Sequence, residues 1–307
     1  MTGIVSFGGY IPRLRLQRKA VATANAWFAP NLMGSAKGER SMANWDEDAI
    51  TMAVEAGRDC LPGADPLTAR AHVDAIYFAS TTAPFADRQN AGVVAAALSL
   101  PETISATDIG GSQRAATSAL IAALNAVKAG SSKHAVVLAS EKRKAKAASS
   151  QELSFGDGAA ALEIGSENVI ARLLGHAALT VDFVDHFRSE GEDYDYNWEE
   201  RWIRDEGYSK IVPRAVKTAL ADAGVAPSAI DHFVMPCPFA KLDQTIAKQC
   251  GIGPEKVRDS LAANVGDTGA AHPLVMLVHA LEQAKPGEKI LVAAFGQGCD
   301  VLVFEAT

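Results

Sequence analysis

The chain has 307 residues, with 48% hydrophobic and 21% charged residues, which is ordinary globular composition and enough length for two domains or one large duplicated domain. A net charge of −7 argues against nucleic acid as a general partner. No run of about 18 uninterrupted apolar residues occurs, and the first residues lack a signal-peptide pattern, so we expect a cytoplasmic chain without a membrane span.

The cysteines are scattered, which is typical of a reduced protein. None of the four belongs to a CxxC pair, so a zinc site built from cysteines is not predicted and no metal is expected. The four are Cys60, Cys237, Cys250 and Cys299.

Short apolar runs and alanine-rich helical patterns alternate along the chain. The runs lack polar alternation, which is typical of strands covered on both faces. They begin at Val73, His134, Ala159, Ile230, Lys289 and Asp300. The helical patterns cover Asp46–Cys60, Asn90–Leu100, Ser112–Lys128, Lys210–Ala223, Asp243–Cys250 and Ala271–Gln283.

The order of these patterns is similar in the two halves of the chain. The strand ends at Thr81 and Pro236 are 155 residues apart (236 − 81), and the helix entries at Gln113 and Asp267 are 154 apart (267 − 113). This steady offset favours a duplication, although α/β proteins repeat such an order anyway. The predicted fold is a duplicated α/β fold of five layers, helix–sheet–helix–sheet–helix, with the two alanine-rich helices after Gln113 and Asp267 in the central layer.

The segment between the halves interrupts the pattern. We predict a first half at 1–167, a connecting excursion at 168–209 and a second half at 210–307. The stretch 182–208, DFVDHFRSEGEDYDYNWEERWIRDEGY, is rich in acidic and aromatic residues. It is interpreted either as a solvated excursion or as a lid or partner surface, since tyrosine and tryptophan favour interfaces.

Four further stretches carry a resemblance to a known family: NWDEDAITMAVEAGRDCL from Asn44, SFGDGAAALEIG from Ser154, PCPFAKL from Pro236 and VGDTGAAHPL from Val265. Over nearly its whole length the chain resembles the thiolase superfamily, in the branch of hydroxymethylglutaryl-CoA synthases and ketoacyl synthases III. The resemblance implies the five-layered fold, acyl thioester chemistry, and dimerisation through the first-half sheet.

The resemblance also implies four reactive positions, and all of them hold other residues here. The cysteine that takes the acyl group corresponds to Gln113, the histidine to Pro236, the asparagine to Asp267, and the glutamate of the synthase branch to Thr81. A glutamine cannot form an acyl thioester and a proline cannot donate a hydrogen bond. An ionised aspartate would oppose a developing oxyanion unless it is paired.

Relocated chemistry remains an alternative to a loss of chemistry. Asp267 and His272 lie in one turn and could form an acid/base pair, although His272 could also be an ordinary helix-end histidine. Cys237 could be a displaced nucleophile or a buried, inert thiol. Gln113 could polarise a malonyl thioester in a decarboxylase, but such sites keep the histidine that is absent at Pro236.

Coenzyme A is the expected ligand, as a non-covalent thioester. Lys241, Lys248 and Arg114 are the tentative contacts, and the basic run EKRKAK from Glu141 is either a solvated loop or an anion site.

The resemblance therefore predicts an acyl-CoA-binding protein that does not perform the standard condensation alone. It is expected to form a homodimer, or a heterodimer with a thiolase-like subunit, and a zinc-ribbon/OB-fold protein is a further expected partner. The alternatives are an active condensing or cleaving enzyme with relocated residues, and a purely structural subunit.

Overall fold

The computed structural model describes residues 1–307 and contains thirteen strands. The strands are β1 (Gly3–Tyr10), β2 (Leu14–Gln17), β3 (Glu39–Met42), β4 (Ala75–Ala79), β5 (Ser105–Ile109), β6 (Ala135–Glu141), β7 (Gly158–Gly165), β8 (Ala171–Thr180), β9 (His186–Phe187), β10 (Tyr196–Asn197), β11 (His232–Val234), β12 (Lys289–Phe295) and β13 (Gly298–Ala306).

Ten α-helices accompany the strands, and none has the length and apolarity needed to cross a bilayer. Helices α7 and α8 are joined by a π-helical turn at Ile203–Tyr208. The helices are α1 (Arg18–Asn25), α2 (Ala49–Cys60), α3 (Pro66–Ala69), α4 (Asn90–Ala97), α5 (Ala115–Ala129), α6 (Ser150–Ser154), α7 (Glu200–Trp202), α8 (Ser209–Ala223), α9 (Leu242–Gln249) and α10 (His272–Leu281).

Nine strands are hydrogen-bonded in the order β11-β12-β13-β8-β1-β7-β6-β4-β5. The link between β8 and β1 is short, because only Gly3 with Arg172 and Ile4 with Ala171 are paired there. The nine strands are therefore two half-sheets that touch at one corner. The first is β1-β7-β6-β4-β5 and the second is β11-β12-β13-β8.

The buried side chains show the five predicted layers. One core cluster combines α5 and α10 with residues from both half-sheets, such as Leu162 and Phe304, so these two helices lie between the sheets. A second cluster packs α8 and α9 on the outer face of the second half-sheet. A third packs α2 and α4 on the outer face of the first. The small residues of α5 suit this central layer, because they allow close packing on both sides.

The duplication includes a strand that the sequence pattern placed in the connecting excursion. Ala171–Thr180 of that segment forms β8, a ten-residue strand paired with β13 along its length. It occupies in the second half-sheet the place that β1 occupies in the first. The excursion predicted at 168–209 therefore corresponds to about 181–208, and the second half begins with β8 rather than at 210. The pattern missed β8 because polar and small residues interrupt its apolar run.

The FGDG motif joins the two halves beside the carboxyl end of β6. The main chains of Gly156 and Asp267 are hydrogen-bonded at 2.9 Å, and Asp267 in turn donates its N–H to Ser154 O at 2.7 Å. A Cβ atom on Gly156 would lie 2.0 Å from Val265 O, so only glycine permits this approach. The motif thus fixes the position of the second-half turn that carries Asp267.

The close approach of β1 to α2 gives a test of the packing. A Cβ atom at Gly8 would lie 2.3 Å from Cys60 N and 2.5 Å from Ala56 O, both rigid backbone atoms. We expect Gly8→Ala to lower the free energy of unfolding by about 1–3 kcal/mol in urea titrations, as overpacking does. Gly34→Ala is the matched control, because nothing lies within 4 Å of its Cβ position. Equal unfolding midpoints for the two variants would contradict this packing.

Candidate active site

Gln113 lies at the amino end of the central helix α5, immediately before the N-cap residue Arg114. Its Nε2 atom is 3.1 Å from Nε2 of His186, which comes from the excursion between the halves. The position that the family resemblance assigns to the nucleophile therefore holds an amide that contacts an imidazole.

His186 is linked to a carboxylate on its other side. Its Nδ1 atom is 3.1 Å from Oδ2 of Asp185. A proton on Nδ1 allows the ring to donate to Asp185 and to accept the Gln113 amide N–H at Nε2, so this tautomer satisfies both contacts. The other oxygen of Asp185, Oδ1, is buried without a hydrogen-bond partner. Asp185, His186 and Gln113 thus form a polar chain at the end of α5.

A buried arginine connects the excursion, which carries Asp185 and His186, to both halves of the fold. The Arg143 guanidinium is 2.8 Å from Asp195 Oδ2 and 3.3 Å from Asp267 Oδ2. It also lies over the ring of Phe155, 3.5 Å from the centroid, as a cation–π contact. Asp195 is shared with Arg188 at 2.8 Å. Arg143 therefore holds the excursion, the FGDG motif and the second-half turn together.

Asp267, at the family asparagine position, is kept ionised by this arrangement. Burial alone would raise the pKa of its carboxyl, but the Arg143 guanidinium, His272 and the Gly269 N–H outweigh burial and lower the pKa below its usual range. The Gly269 N–H donates to Oδ1 at 2.8 Å. The negative charge that would oppose an oxyanion is thus paired with Arg143.

Two cavities meet at Gln113, Asp185 and His186, which line both of them. The larger has a volume of about 650 Å³ and also exposes Pro236, Cys237, Asp267 and His272. The smaller has about 410 Å³ and is lined by Thr81 and Arg188. Three of the four family positions thus share the larger cavity, whereas Thr81 lies at the smaller one.

His272 and Cys237, the candidates for relocated catalytic residues, have little capacity to react. His272 is buried, its Nε2 donates to Ser260 O at 2.8 Å, and its Nδ1 accepts the Thr268 N–H at 3.0 Å. Both ring nitrogens are therefore occupied within the protein, and burial lowers the pKa of the ring. Burial also raises the pKa of the Cys237 thiol to about 12, so the nucleophilic thiolate is disfavoured.

A buried carboxylate lies beside the family glutamate position but faces the backbone. Glu141 accepts the Thr81 N–H at 2.6 Å with one oxygen and the Thr82 hydroxyl at 2.6 Å with the other. Its pKa is raised, because burial outweighs these two hydrogen bonds and the charge of Arg143. Glu141 therefore fixes the loop after β4, and both of its oxygens are used in doing so.

The tentative coenzyme A contacts do not converge on the cavity. Arg114 is bound to Asp300 at 2.6 Å and to Gly296 O at 3.0 Å, so its guanidinium is internal. Lys241 and Lys248 are exposed at the two ends of α9, and neither lines the larger cavity. Two arginines do line it, Arg18 and Arg143, and the Nε atom of each is buried without a hydrogen-bond partner.

Sequence reasoning missed His186, Asp185, Asp195 and Arg18 as site residues. The first three lie in a segment with no apolar periodicity, and a lone histidine among acidic residues carries no spacing signal. Arg143 was noted only as part of a basic run, whereas the structure places its side chain inside the protein, with 5% of it exposed.

Comparison with known proteins identifies relatives along the whole chain. Residues 220–303 match the family described as 3-Oxoacyl-[acyl-carrier-protein (ACP)] synthase III C terminal. The chain is 31% identical over 301 residues to the hydroxymethylglutaryl-CoA synthase of Pyrococcus horikoshii, covering 96% of this chain and 83% of that protein. It is 30% identical over 300 residues to that of Caldivirga maquilingensis, covering 96% and 84%.

Solved structures show the same fold at lower identity. The 3-oxoacyl-(acyl carrier protein) synthase III, FabH, of Pseudomonas aeruginosa superposes with a TM-score of 0.86 at 21% identity, covering 99% of this chain and 98% of that one. Xanthomonas campestris OleA, in a study with bound lauric acid and lauroyl-CoA, gives 0.82 at 18% identity, covering 99% and 98%.

The Arg143 network can be tested against its neighbour in the chain. Arg143→Met leaves the buried Asp195 with Arg188 alone and the partly exposed Asp267 with no ion-pair partner, so we expect the free energy of unfolding to fall by about 1–3 kcal/mol. Lys144→Met is the control, because Lys144 and its partner Asp193 are 69% and 64% exposed and solvent screens such a pair, so its loss should leave the unfolding midpoint almost unchanged. Chemical denaturation at pH 7 measures both. Similar losses for the two variants would show that Arg143 does not hold the site together.

Proposed function

The chain belongs to the hydroxymethylglutaryl-CoA synthase family, and on this premise we propose that it binds a coenzyme A thioester in the larger cavity without forming an acyl-enzyme. The observation that carries the proposal is the contact between Gln113 and His186 at the amino end of α5. A carboxamide there can donate a hydrogen bond to an acyl carbonyl, but it cannot take the acyl group from the thiol of coenzyme A.

The size and lining of the cavity support a ligand of this class. A volume of about 650 Å³ lies in the range of small-molecule sites. The positive charge of Arg18 at the cavity lining favours an anionic group there, and Tyr208 lines the same cavity. Burial raises the pKa of Tyr208 well above its ordinary value, so its hydroxyl stays a hydrogen-bond donor at neutral pH. The names of the relatives, hydroxymethylglutaryl-CoA synthases, and the lauroyl-CoA of the OleA study point to the same ligand class.

Standard condensation is not part of the proposal. The acyl carrier and the proton-transfer group of the family correspond to Gln113 and Thr81, and the Thr81 N–H is bound to Glu141. We propose that any condensation needs a thiolase-like subunit as catalytic partner, that the chain otherwise pairs with a second copy of itself, and that a zinc-ribbon/OB-fold protein is a further partner. The exposed edge strand β5 of the first half-sheet supports an interface there.

The thioester proposal is tested by combining binding with intact mass. We expect wild type to bind acetyl-CoA and acetoacetyl-CoA in calorimetric titrations and to show no acyl adduct. Gln113→Cys is expected to gain an acetyl adduct, because a thiol at a helix amino end beside His186 favours the thiolate, yet to form no hydroxymethylglutaryl-CoA.

Gln113→Ala is the matched control and should bind without an adduct. A lack of binding by wild type would overturn the proposal, and so would an adduct on a native residue. An adduct on Cys237 in particular would establish a displaced nucleophile.

A second candidate function is cleavage of the thioester, which the Asp185–His186 pair favours. In such a step, the Gln113 amide gives up its hydrogen bond to His186 Nε2, and that nitrogen takes a proton from water while the water oxygen bonds to the thioester carbonyl carbon. The carbon–sulfur bond then breaks, and the coenzyme A thiolate takes the proton from the imidazolium. The products are a carboxylic acid and free coenzyme A. Asp185, 3.1 Å from Nδ1, would stabilise the imidazolium.

Free-thiol release from acyl-CoA tests the second candidate. If His186 is the base, His186→Gln should lower the release rate by about 10²–10⁴-fold, the usual contribution of a general base. His279→Gln is the control, because the His279 ring is hydrogen-bonded to Gln283 and paired with Glu282, both just after α10, and it lines neither cavity. No release by wild type, or equal rates in the two variants, would reject cleavage at His186.

A further inference from the structure

A second cluster of polar side chains lies at the opposite ends of the strands of the first half-sheet, away from Gln113. Glu163 is on β7, His134 directly precedes β6, and His72 precedes β4. His72 Nε2 and His134 Nδ1 are 2.9 and 2.8 Å from the same oxygen of Glu163, and the three ligand atoms lie within 4.8 Å of one another. Three separate segments thus direct two imidazoles and one carboxylate to one point.

The cluster is held firmly by its surroundings. The second oxygen of Glu163 accepts the Ser6 hydroxyl of β1 at 3.0 Å, and the Glu163 side chain is only 7% exposed. The backbone of His134 is fixed by Asp74, whose side chain accepts the His134 N–H at 3.3 Å and whose own N–H donates to His134 O at 3.0 Å. The oxygen that faces the histidines is therefore placed by the sheet rather than by a mobile loop.

The charge of Glu163 has no arginine or lysine beside it. Its only ion-pair contacts are His72 and His134, which carry charge only when protonated. A buried carboxylate without a permanent cation is costly, and a bound cation would offset that cost. The mouth of the cluster is open, because the side chains of His72 and His134 are 40% and 27% exposed, so a cation and its water ligands can reach it.

We propose that His72, His134 and Glu163 form a site for a divalent cation of the zinc class. Two imidazoles and one carboxylate are a ligand set that Zn²⁺, Co²⁺ and Ni²⁺ accept, with water completing the coordination. Ligands about 2.0–2.1 Å from a tetrahedral ion lie about 3.3–3.4 Å from one another. Binding therefore requires each nitrogen to move roughly 0.5 Å away from the oxygen. The two nitrogens, which lie up to 4.8 Å apart, must also approach each other by up to about 1.4 Å, through rotation of the two histidine side chains.

The position of the site indicates a structural role. His72 and His134 lie at the amino ends of the parallel strands β4 and β6. Thr81 and Glu141 lie at the carboxyl ends of the same strands, on the side of Gln113. Five to seven residues of strand separate these two ends of the sheet by roughly 16–24 Å. The cation would therefore link β4, β6 and β7 and would not take part in the chemistry at Gln113.

Metal titration of the chelator-treated full chain tests the site. We expect saturable binding of one Zn²⁺ per chain and a visible absorption band of Co²⁺ when the imidazoles bind it. We also expect a rise in Tm of about 4 °C when the free metal concentration is a hundred times Kd. His72→Ala should abolish the Tm rise without disturbing the core, because the ring is 40% exposed. Glu163→Gln should do the same, and His279→Gln is the control that should leave the rise intact.

Two results would overturn the inference. One is the absence of saturable Zn²⁺ and Co²⁺ binding by wild type. The other is an equal Tm rise in wild type, His72→Ala and Glu163→Gln, which would place the metal elsewhere. Neither result depends on coenzyme A, so the thioester proposal stands or fails separately.

Discussion

The candidate site depends on the ion pairs that the buried guanidinium of Arg143 makes. The guanidinium neutralises Asp195 of the excursion and Asp267 of the second-half turn, and it packs on Phe155 of the FGDG motif. Three segments that are distant in sequence therefore meet at one cation. Without that cation, Asp267 would lose its ion-pair partner and Asp195 would keep only Arg188, so the electrostatic link between the excursion and the second-half turn would be lost. The placement of His186 beside Gln113 follows from this meeting, because the same excursion carries both Asp195 and His186.

The electrostatic character of the site follows from the same pairing. Asp267 brings to the larger cavity a carboxylate whose charge is already balanced by Arg143. What remains free at the end of α5 is a neutral amide, an imidazole paired with a carboxylate, and the positive end of the helix. Such a set can hold and polarise a carbonyl, and its imidazole can accept a proton when Gln113 gives up its contact with Nε2.

The duplicated architecture separates chemistry from support. Each half-sheet places its strand ends around the central helices α5 and α10, so the ends of β4 and β6 and the turn before α10 converge on Gln113. The opposite ends of the strands, with His72, His134 and Glu163, face away from the cavities. The same strands thus carry the candidate active site at one end and the proposed cation site at the other, and a change at one site need not alter the other.

The sequence by itself determined the layers, the duplication, most helix bounds and the absence of a cysteine at Gln113, because these follow from local apolar patterns and from motifs with fixed spacing. It did not determine that Ala171–Thr180 is a central strand, since polar residues obscured its period. Only the tertiary structure decided that His186 reaches Gln113, that Arg143 is buried and that Arg114 binds Asp300 rather than a ligand. Those contacts join residues 52 to 186 positions apart, and no local periodicity encodes which distant polar groups will neutralise one another once water is excluded.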